Sequence, residues 1–342
     1  MTMDYRSLTI ATSRIGDACP VYVIAEIGIN HNGNLDLAME MVRRSAAAGA
    51  DAVKFQLVDA ARDYAPGTPS YELFRHIALP PGAWERIARA AADVHISVFA
   101  SFAMPEDIAT IRALGFPAIK ISSGNLTNLP LLRAAATSGL PLIISTAMST
   151  QEEVAWTVRT VEEAGCRQLA ILHCTARYPL PPEDANLRVI TTLRDVFPYP
   201  VGYSDHSIGA TCAIAAVALG AQIIEKHVTL DRALSGPDHH FSATMEEFAD
   251  LIRAVRATEA ALGSGVKVPV TAEVPLRAQY RRTIVAARDL PAGTTLTPDV
   301  VTAKRAATPG IDAREYDTLL GRRLVRAVAK DAPVTADAIA VV

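Results

Sequence analysis

The chain has 342 residues, half of them hydrophobic, and a formal net charge of -3. That is enough apolar material for one large or two ordinary domains, and the mild acidity argues against a nucleic-acid-binding or polybasic membrane-facing surface. No apolar stretch approaches the roughly 18 residues that span a bilayer, and the N-terminus lacks the basic and apolar regions of a signal peptide, so a cytoplasmic protein is expected.

Apolar, β-rich runs recur in order: VYVIAEIG (21–28), DAVKFQ (51–56), SVFAS (97–101), AIKISS (118–123), LIISTAM (142–148), LAILHCT (169–175), PVGYSDH (200–206) and IIEKHVTL (223–230). Amphipathic Ala-, Leu- and Arg-rich stretches lie between them, and helix-ending glycines such as Gly49, Gly115 and Gly220 precede the next strand. Strands alternating with helices imply parallel pairing, and near-continuous apolar strands imply a sheet covered on both faces. Eight such units and a ninth helix-like stretch at 245–262 predict an α/β fold, a (β/α)8 barrel over residues 1–262. A doubly wound open sheet is the alternative, but no G-x-G-x-x-G follows the first strand. The Gly-, Pro- and Val-rich segment 263–280 reads as a linker, and 281–342 as a small, mostly β domain with helical starts after Thr297 and Ala336. The four cysteines (Cys19, Cys166, Cys174, Cys212) contain no CxxC and read as reduced thiols, Cys174 as a buried one rather than a nucleophile.

Alternation along a barrel strand places Glu26, Lys54 with Gln56, Lys120 with Ser122, Ser204 with His206, and Glu225 with His227 on one face, near the C-terminal strand ends where barrel active sites are built. Lys226 has the opposite parity and reads as a snorkelling structural lysine. Any one of these charges could be a core ion pair. Burying all of them uncompensated would cost several kcal/mol each, so a ligand or metal is expected. Neighbouring strands lie about 4.8 Å apart, so His206 and His227 at the tips of strands seven and eight can meet at one ion or form a hydrogen-bonded pair. Imidazole suits Mn, Zn, Co or Fe better than Mg. His239 and His240 form a rival cluster in a later loop. Lys54 and Lys120, with Ser101, Ser123 and Ser204 nearby, suit a small phosphorylated carboxylate. Metal beside anion suggests Lewis-acid chemistry on a carbonyl, and phosphate-ester hydrolysis is also compatible.

The stretches AEIGINHNG, GADAVKFQ, KISSGNLTNLPLL, LHCTARYPLPPEDANL, VGYSDHSIG, ALGAQIIEKHVTLDRALSGPDH and VTAKRAATPGI resemble the sialic acid synthase family, from about residue 20 to 340. The resemblance implies a TIM barrel followed by an antifreeze-like SAF domain. It implies condensation of phosphoenolpyruvate with the open-chain aldehyde of an N-acylated mannosamine-type sugar, giving a nonulosonic acid and phosphate. It places a divalent metal, Mn2+ first with Mg2+ or Co2+ as alternatives, on His206 and His227. Lys54 and Ser101 would hold the enolpyruvate carboxylate, Lys120, Ser123 and Ser204 its phosphate, and Glu26 would be the catalytic acid, with Lys54 and Lys120 also counted as catalytic. Gln56, Asn125, Tyr178 and Asp238 would bind the sugar, with Arg305 reaching it from the partner subunit in a domain-swapped homodimer. The chain departs from the pattern at Asn125, where an acid is usual, at Ala176, at Ser101 and in a short segment after Phe55. These leave the sugar open, with an aldol synthase for another aldose, or a non-catalytic sugar-phosphate binder, as alternatives.

Overall fold

Residues 6–340 are described by a computed structural model. The apolar runs form eight parallel strands: Tyr22–Gly28, Ala52–Gln56, Ser97–Ser101, Ile119–Ile121, Leu142–Ser145, Leu169–Cys174, Val201–Asp205 and Ile223–Thr229. Each pairs with the next, and the eighth pairs with both the seventh and the first, so the sheet closes into a barrel. The lumen and the strand–helix interface share one apolar cluster that includes Val23, Phe55, Phe99, Ile121, Ile144 and Ile171.

Helices follow every strand, three of them (Ala60–Asp63, Pro69–His76 and Ala83–Asp93) after the second, and Met245–Leu262 is the one that follows the eighth rather than an extra one. Local chemistry sets their ends. The Asn34 side chain accepts from Leu37 N at the start of helix one, and Gly49 ends it in the left-handed region. Thr150 with Glu153, and Thr244 with Glu247, form reciprocal capping boxes. An N-terminal hairpin, Ser7–Ile10 with Ser13–Gly16, precedes the barrel. It buries Leu8, Ile10 and Ile15 in the barrel cluster. Thr9 N donates to Gln168, and Gln222 donates to Asp17; both glutamines immediately precede a strand. The hairpin therefore covers the N-terminal ends of the strands, leaving the opposite end for chemistry.

The chain divides between Gly263 and Ser264. The segment expected to be a plain linker contains a helix, Glu273–Tyr280. The rest of the second unit pairs Thr283–Ala286 with Val301–Lys304, antiparallel, over a small core of Ile284, Leu296, Val301, Leu324 and Val334. Residues after Thr297 form a turn rather than a helix, while Ala336–Ala338 is a 3-10 turn.

Candidate active site

Strand register brings the polar residues together. Glu26 lies opposite both Lys54 and His227, Ser101 lies opposite Gln56 and Lys120, and Ser204 lies opposite Cys174 and Glu225. Strand one carries a bulge between Glu26 and Gly28. Gly28 adopts a φ of 54°, and a Cβ there would stand 3.0 Å from Glu26 Oε1 and 3.4 Å from Gln56 Nε2. Glycine thus keeps the space beside these two side chains open.

The result is a pocket of about 780 Å³, counted to its open mouth, at the C-terminal ends of the strands. Glu26, Lys54, Gln56, Ser101, Lys120, Ser123, Asn125, Tyr178, Ser204, His206 and His227 all line it. Asp238 is close by, its Oδ2 3.7 Å from His227 Nδ1. Arg305 belongs to the second unit, where its Nε donates to Tyr280 O and its guanidinium lies 5.0 Å from the centre of the Tyr280 ring.

The floor is a four-charge cluster. Lys54 Nζ lies 2.7 Å from Glu26 Oε2 and 3.8 Å from Glu225 Oε1, and Lys120 Nζ lies 3.2 Å from the same Glu225 oxygen. Ser204 Oγ donates to it as well, at 3.0 Å. Burial raises the pKa of Glu26 to about 7, against the pull of Lys54. Burial opposes the charge on Glu225 too, but Lys120 and Lys54 outweigh it and hold this carboxylate below its ordinary range. Burial lowers Lys120, whereas the two carboxylates carry Lys54 above its ordinary value despite burial. With Glu26 partly protonated at neutral pH, the cluster carries excess positive charge in a buried setting. An incoming anion would compensate it.

His206 and His227 stand side by side, ring centroids 5.4 Å apart. Burial lowers the pKa of His206 to about 4 and that of His227 well below its ordinary value, so both are neutral with free lone pairs. His206 Nδ1 is 2.8 Å from Thr175 O, which makes that nitrogen the donor and leaves Nε2 unprotonated. His227 Nδ1 is buried with no hydrogen-bond partner. No group of three or more His, Cys, Asp or Glu arranged for a metal occurs among the described residues. The pair therefore fits a divalent ion held by two imidazoles, with oxygen ligands from water or substrate filling the other positions.

Several of these residues make contacts that the sequence alone does not show. Lys226 does not snorkel: it is buried and pairs with Asp205 Oδ2 at 2.8 Å and with Ser207 O. His239 is a structural group, bonded to Thr229 Oγ1 and Asn32 Nδ2, and His240 is not in the pocket lining. Cys174 does line the pocket, but burial pushes its thiol up to about 11, so it is no thiolate at neutral pH. The Asn125 amide is spent locally: Nδ2 donates to Phe102 O and Ser122 Oγ, and Oδ1 accepts from Asn128. Met148, Tyr64, Phe102 and Ser145 also line the pocket and were missed. Strand parity gave no signal for the three that lie in loops, and Ser145, at a strand end, was overlooked.

Two family models match the chain in tandem: the NeuB family over residues 41–267 and the SAF domain over 281–340. The chain belongs to the NeuB family. NeuB relatives include the N,N'-diacetyllegionaminic acid synthase of Legionella pneumophila, 37% identical, with 90% of this chain and 92% of that protein aligned. The human N-acetylneuraminate-9-phosphate synthase is 35% identical over 93% of this chain and 92% of its own length. Among solved structures, the N-acetylneuraminic acid synthetase of Leptospira borgpetersenii, crystallised with citrate, superposes with a TM-score of 0.75 at 33% identity, over 80% of this chain and 97% of that one. This NeuB chain is thus a sialic acid synthase-type enzyme with a C-terminal SAF domain. No helix among its described residues is long and apolar enough to cross a membrane.

Proposed function

We propose that the enzyme condenses phosphoenolpyruvate with the open-chain aldehyde of an N-acylated mannosamine-type sugar, releasing phosphate and a nonulosonic acid. The observation that carries this reading is the approach of two buried ammonium groups, Lys54 and Lys120, to one carboxylate oxygen of Glu225, on the floor of a pocket that also holds two neutral histidines. An anion with a carboxylate and a phosphate can take one lysine for each group. Ser101, Ser123 and Ser204 offer further hydroxyl donors at neighbouring strand ends.

Binding the enolpyruvate against Lys54 and Lys120 fixes its C3 toward the aldehyde and excludes bulk water from the pocket floor. A divalent ion on His206 and His227 would supply Lewis-acid polarisation of the aldehyde oxygen. Glu26, whose pKa of about 7 lets it give and take a proton at neutral pH, serves as proton carrier. It protonates the oxygen left negative when C3 attacks the aldehyde carbon. As carboxylate it then takes the proton of the water that adds at C2, and phosphate leaves by C–O cleavage. Gln56, Tyr178 and Asp238 orient the sugar. Arg305 acts from the SAF domain of a second subunit in a domain-swapped dimer.

The test is release of phosphate from phosphoenolpyruvate by the full chain with Mn2+, across a panel of aldoses. The expected result is release that requires both phosphoenolpyruvate and an N-acylated mannosamine-type sugar, with a nonulosonic acid in the products. Release only with other aldoses would point to a different enolpyruvate aldol synthase. Sugar-phosphate binding without any turnover would leave a binding protein and overturn the reading. Arg305→Ala should raise the KM for the sugar and leave that for phosphoenolpyruvate unchanged.

A further inference from the structure

The loop after strand eight, residues 230–242, is fastened to the loop after strand one by a run of hydrogen bonds in which each proton has one place to go. Asn32 Nδ2 donates to Ser235 O at 2.7 Å, which settles which end of that amide is the nitrogen. The same nitrogen stands 3.1 Å from His239 Nε2, so that ring nitrogen is the acceptor. Burial lowers the pKa of His239, and the neutral ring then carries its proton on Nδ1. Nδ1 donates to Thr229 Oγ1 at 2.7 Å, and Thr229 gives its own hydrogen to Asp231 O at 2.9 Å. This tautomer satisfies every group in the run. The other would set two N–H groups against each other at Asn32.

The surroundings leave the ring little freedom. His239 is fully buried. Gly236 has a φ of 145°, and a Cβ there would stand 2.8 Å from His239 Cδ2 and 2.9 Å from Asn32 Oδ1, so the loop crosses the pair at a glycine. A second tie lies three residues on. Ser242 Oγ donates to Asp238 O at 2.5 Å and accepts from Asn30 Nδ2 at 3.0 Å, and that amide also donates to Val228 O at 2.8 Å. Between the two ties sits Asp238, whose Oδ2 is 3.7 Å from His227 Nδ1. His239 itself is not among the residues that line the pocket.

We propose that His239 is a positioning residue for the condensation: as the Nδ1–H tautomer it clasps the loops after strands one and eight together, and so holds the Asp238 carboxylate in place beside His227. This rests on the reading that Asp238 orients the sugar. The loop that carries Asp238 has one 3-10 turn, His239–Phe241, as its own regular structure, so its path depends on bonds to other elements. A carboxylate that must meet one hydroxyl tolerates little error, since a misplacement of about 1 Å can cost on the order of a hundredfold in rate.

The experiment follows phosphate release by the full chain with phosphoenolpyruvate and Mn2+, on N-acetylmannosamine and on 2,4-diacetamido-2,4,6-trideoxymannose. His239→Phe fills the space without either hydrogen bond and should raise the KM for the sugar roughly fivefold to tenfold, leaving that for phosphoenolpyruvate unchanged. Asn32→Gly removes the donor to Nε2 without touching the buried ring, suits the backbone there at a φ of 49°, and should act in the same direction. His239→Gln keeps an acceptor for Asn32 and should recover most of the loss. In an Asp238→Ala background, His239→Phe should add little, because both changes act through one carboxylate. Amide hydrogen exchange should quicken over residues 230–242 in His239→Phe and stay unchanged in the barrel strands. Nitrogen chemical shifts of the wild type should show His239 protonated at Nδ1. An equal effect of His239→Phe with and without Asp238, a parallel rise in both KM values, unchanged exchange in the loop, or an Nε2–H tautomer each overturns the inference and leaves the condensation reading intact. No release by the wild type with either sugar would sink this role, and none with any aldose the condensation reading as well; the exchange and nitrogen measurements distinguish that failure from a missing clasp.

Discussion

Lys120 Nζ and Glu225 Oε1 lie 3.2 Å apart on the pocket floor, and the same oxygen is 3.8 Å from Lys54 Nζ. This carboxylate therefore faces both buried ammonium groups, and Lys54 has Glu26 as its nearer partner at 2.7 Å. Glu225→Gln removes that charge and leaves Glu26, itself partly protonated, as the remaining acid in the cluster. Removing one partner of a buried pair costs about 3–5 kcal/mol. The variant should unfold at clearly lower temperature than the wild type. Inorganic phosphate should recover more of the loss in the variant than it adds to the wild type, because an anion bound only to the folded form stabilises it. Equal melting temperatures, or no differential phosphate effect, would show that Glu225 does not carry this compensation.

The histidine pair makes a separate prediction. Both rings are neutral, and His227 Nδ1 has no partner. Wild-type enzyme stripped with a chelator should lose activity and regain it with Mn2+. His206→Ala and His227→Ala should each fail to bind Mn2+, measured directly by the loss of its free-ion paramagnetic signal, while circular dichroism stays that of the wild type. Undiminished Mn2+ binding by either variant would remove that residue from the ligand set.

His31 gives the fold a handle on pH. Burial lowers its pKa from the ordinary 6.5 to about 4, and its Nδ1 accepts from Gly33 N. The unfolded chain binds a proton here below pH 6.5 and the folded chain does not, so stability present above that pH drains away between 6.5 and about 4. At about 1.36 kcal/mol per pKa unit, this one group accounts for roughly 3 kcal/mol. His31→Gln keeps an acceptor and cannot charge. Its stability, followed by denaturant unfolding at pH 7 and pH 4.5, should fall less with acid than the wild type's; an identical acid loss would exclude His31 as a contributor.

Much of this architecture is legible in the sequence, for a physical reason. A parallel barrel strand is buried on both sides, so its apolar run is continuous and a charge within it shows at once. Parity then sorts Glu26, Lys54, Lys120, Glu225 and the two histidines to one face, where the structure also has them. What parity cannot give is partnership. Lys226 reads as a surface-seeking lysine because nothing in its own strand marks Asp205, twenty-one positions earlier, as its counter-ion. The N-terminal hairpin escaped because its two strands, SLTI and SRIG, are only four residues long and do not stand out beside the longer apolar runs of the barrel. Met148 escaped because exposure and positive φ are properties of a loop's path, set by hydrogen bonds to Leu172 and Ser123 from elsewhere in the chain.

The buried Lys226–Asp205 pair is structural by position, with the opposite parity to His227 and His206. Asp205 Oδ1 also accepts from Ser207 N and Oγ, so the pair ties the turn after strand seven to strand eight. Lys226→Met leaves the Asp205 carboxylate buried without its counter-ion and should cost about 3–5 kcal/mol. Asp205→Asn combined with Lys226→Met removes both charges and should recover part of that loss. A double variant no more stable than Lys226→Met would mean that the stranded charge is not the cause.

Asn125 lines the pocket and braces its wall. Its amide joins two loops: Nδ2 donates to Phe102 O at 3.4 Å, in the loop after strand three, and to Ser122 Oγ at 3.2 Å. Its Oδ1 accepts from Asn128 Nδ2 at 3.1 Å. A carboxylate can keep the Asn128 and Ser122 contacts, because Ser122 can turn its hydroxyl to donate. It cannot keep the bond to Phe102 O, since both atoms are then acceptors. Asn125→Asp should therefore loosen the loop that carries Phe102 and Ala103 into the pocket wall. The long Phe102 contact sets the scale at about 1 kcal/mol of stability, the net worth of one neutral hydrogen bond. Thermal unfolding of Asn125→Asp measures that term. Kinetics measures the other role: if the amide also meets the sugar, the ratio of kcat/KM between N-acetylmannosamine and 2,4-diacetamido-2,4,6-trideoxymannose should shift, with the KM for phosphoenolpyruvate unchanged. A variant that loses stability yet keeps that ratio would confine Asn125 to bracing the two loops and remove it from the sugar site.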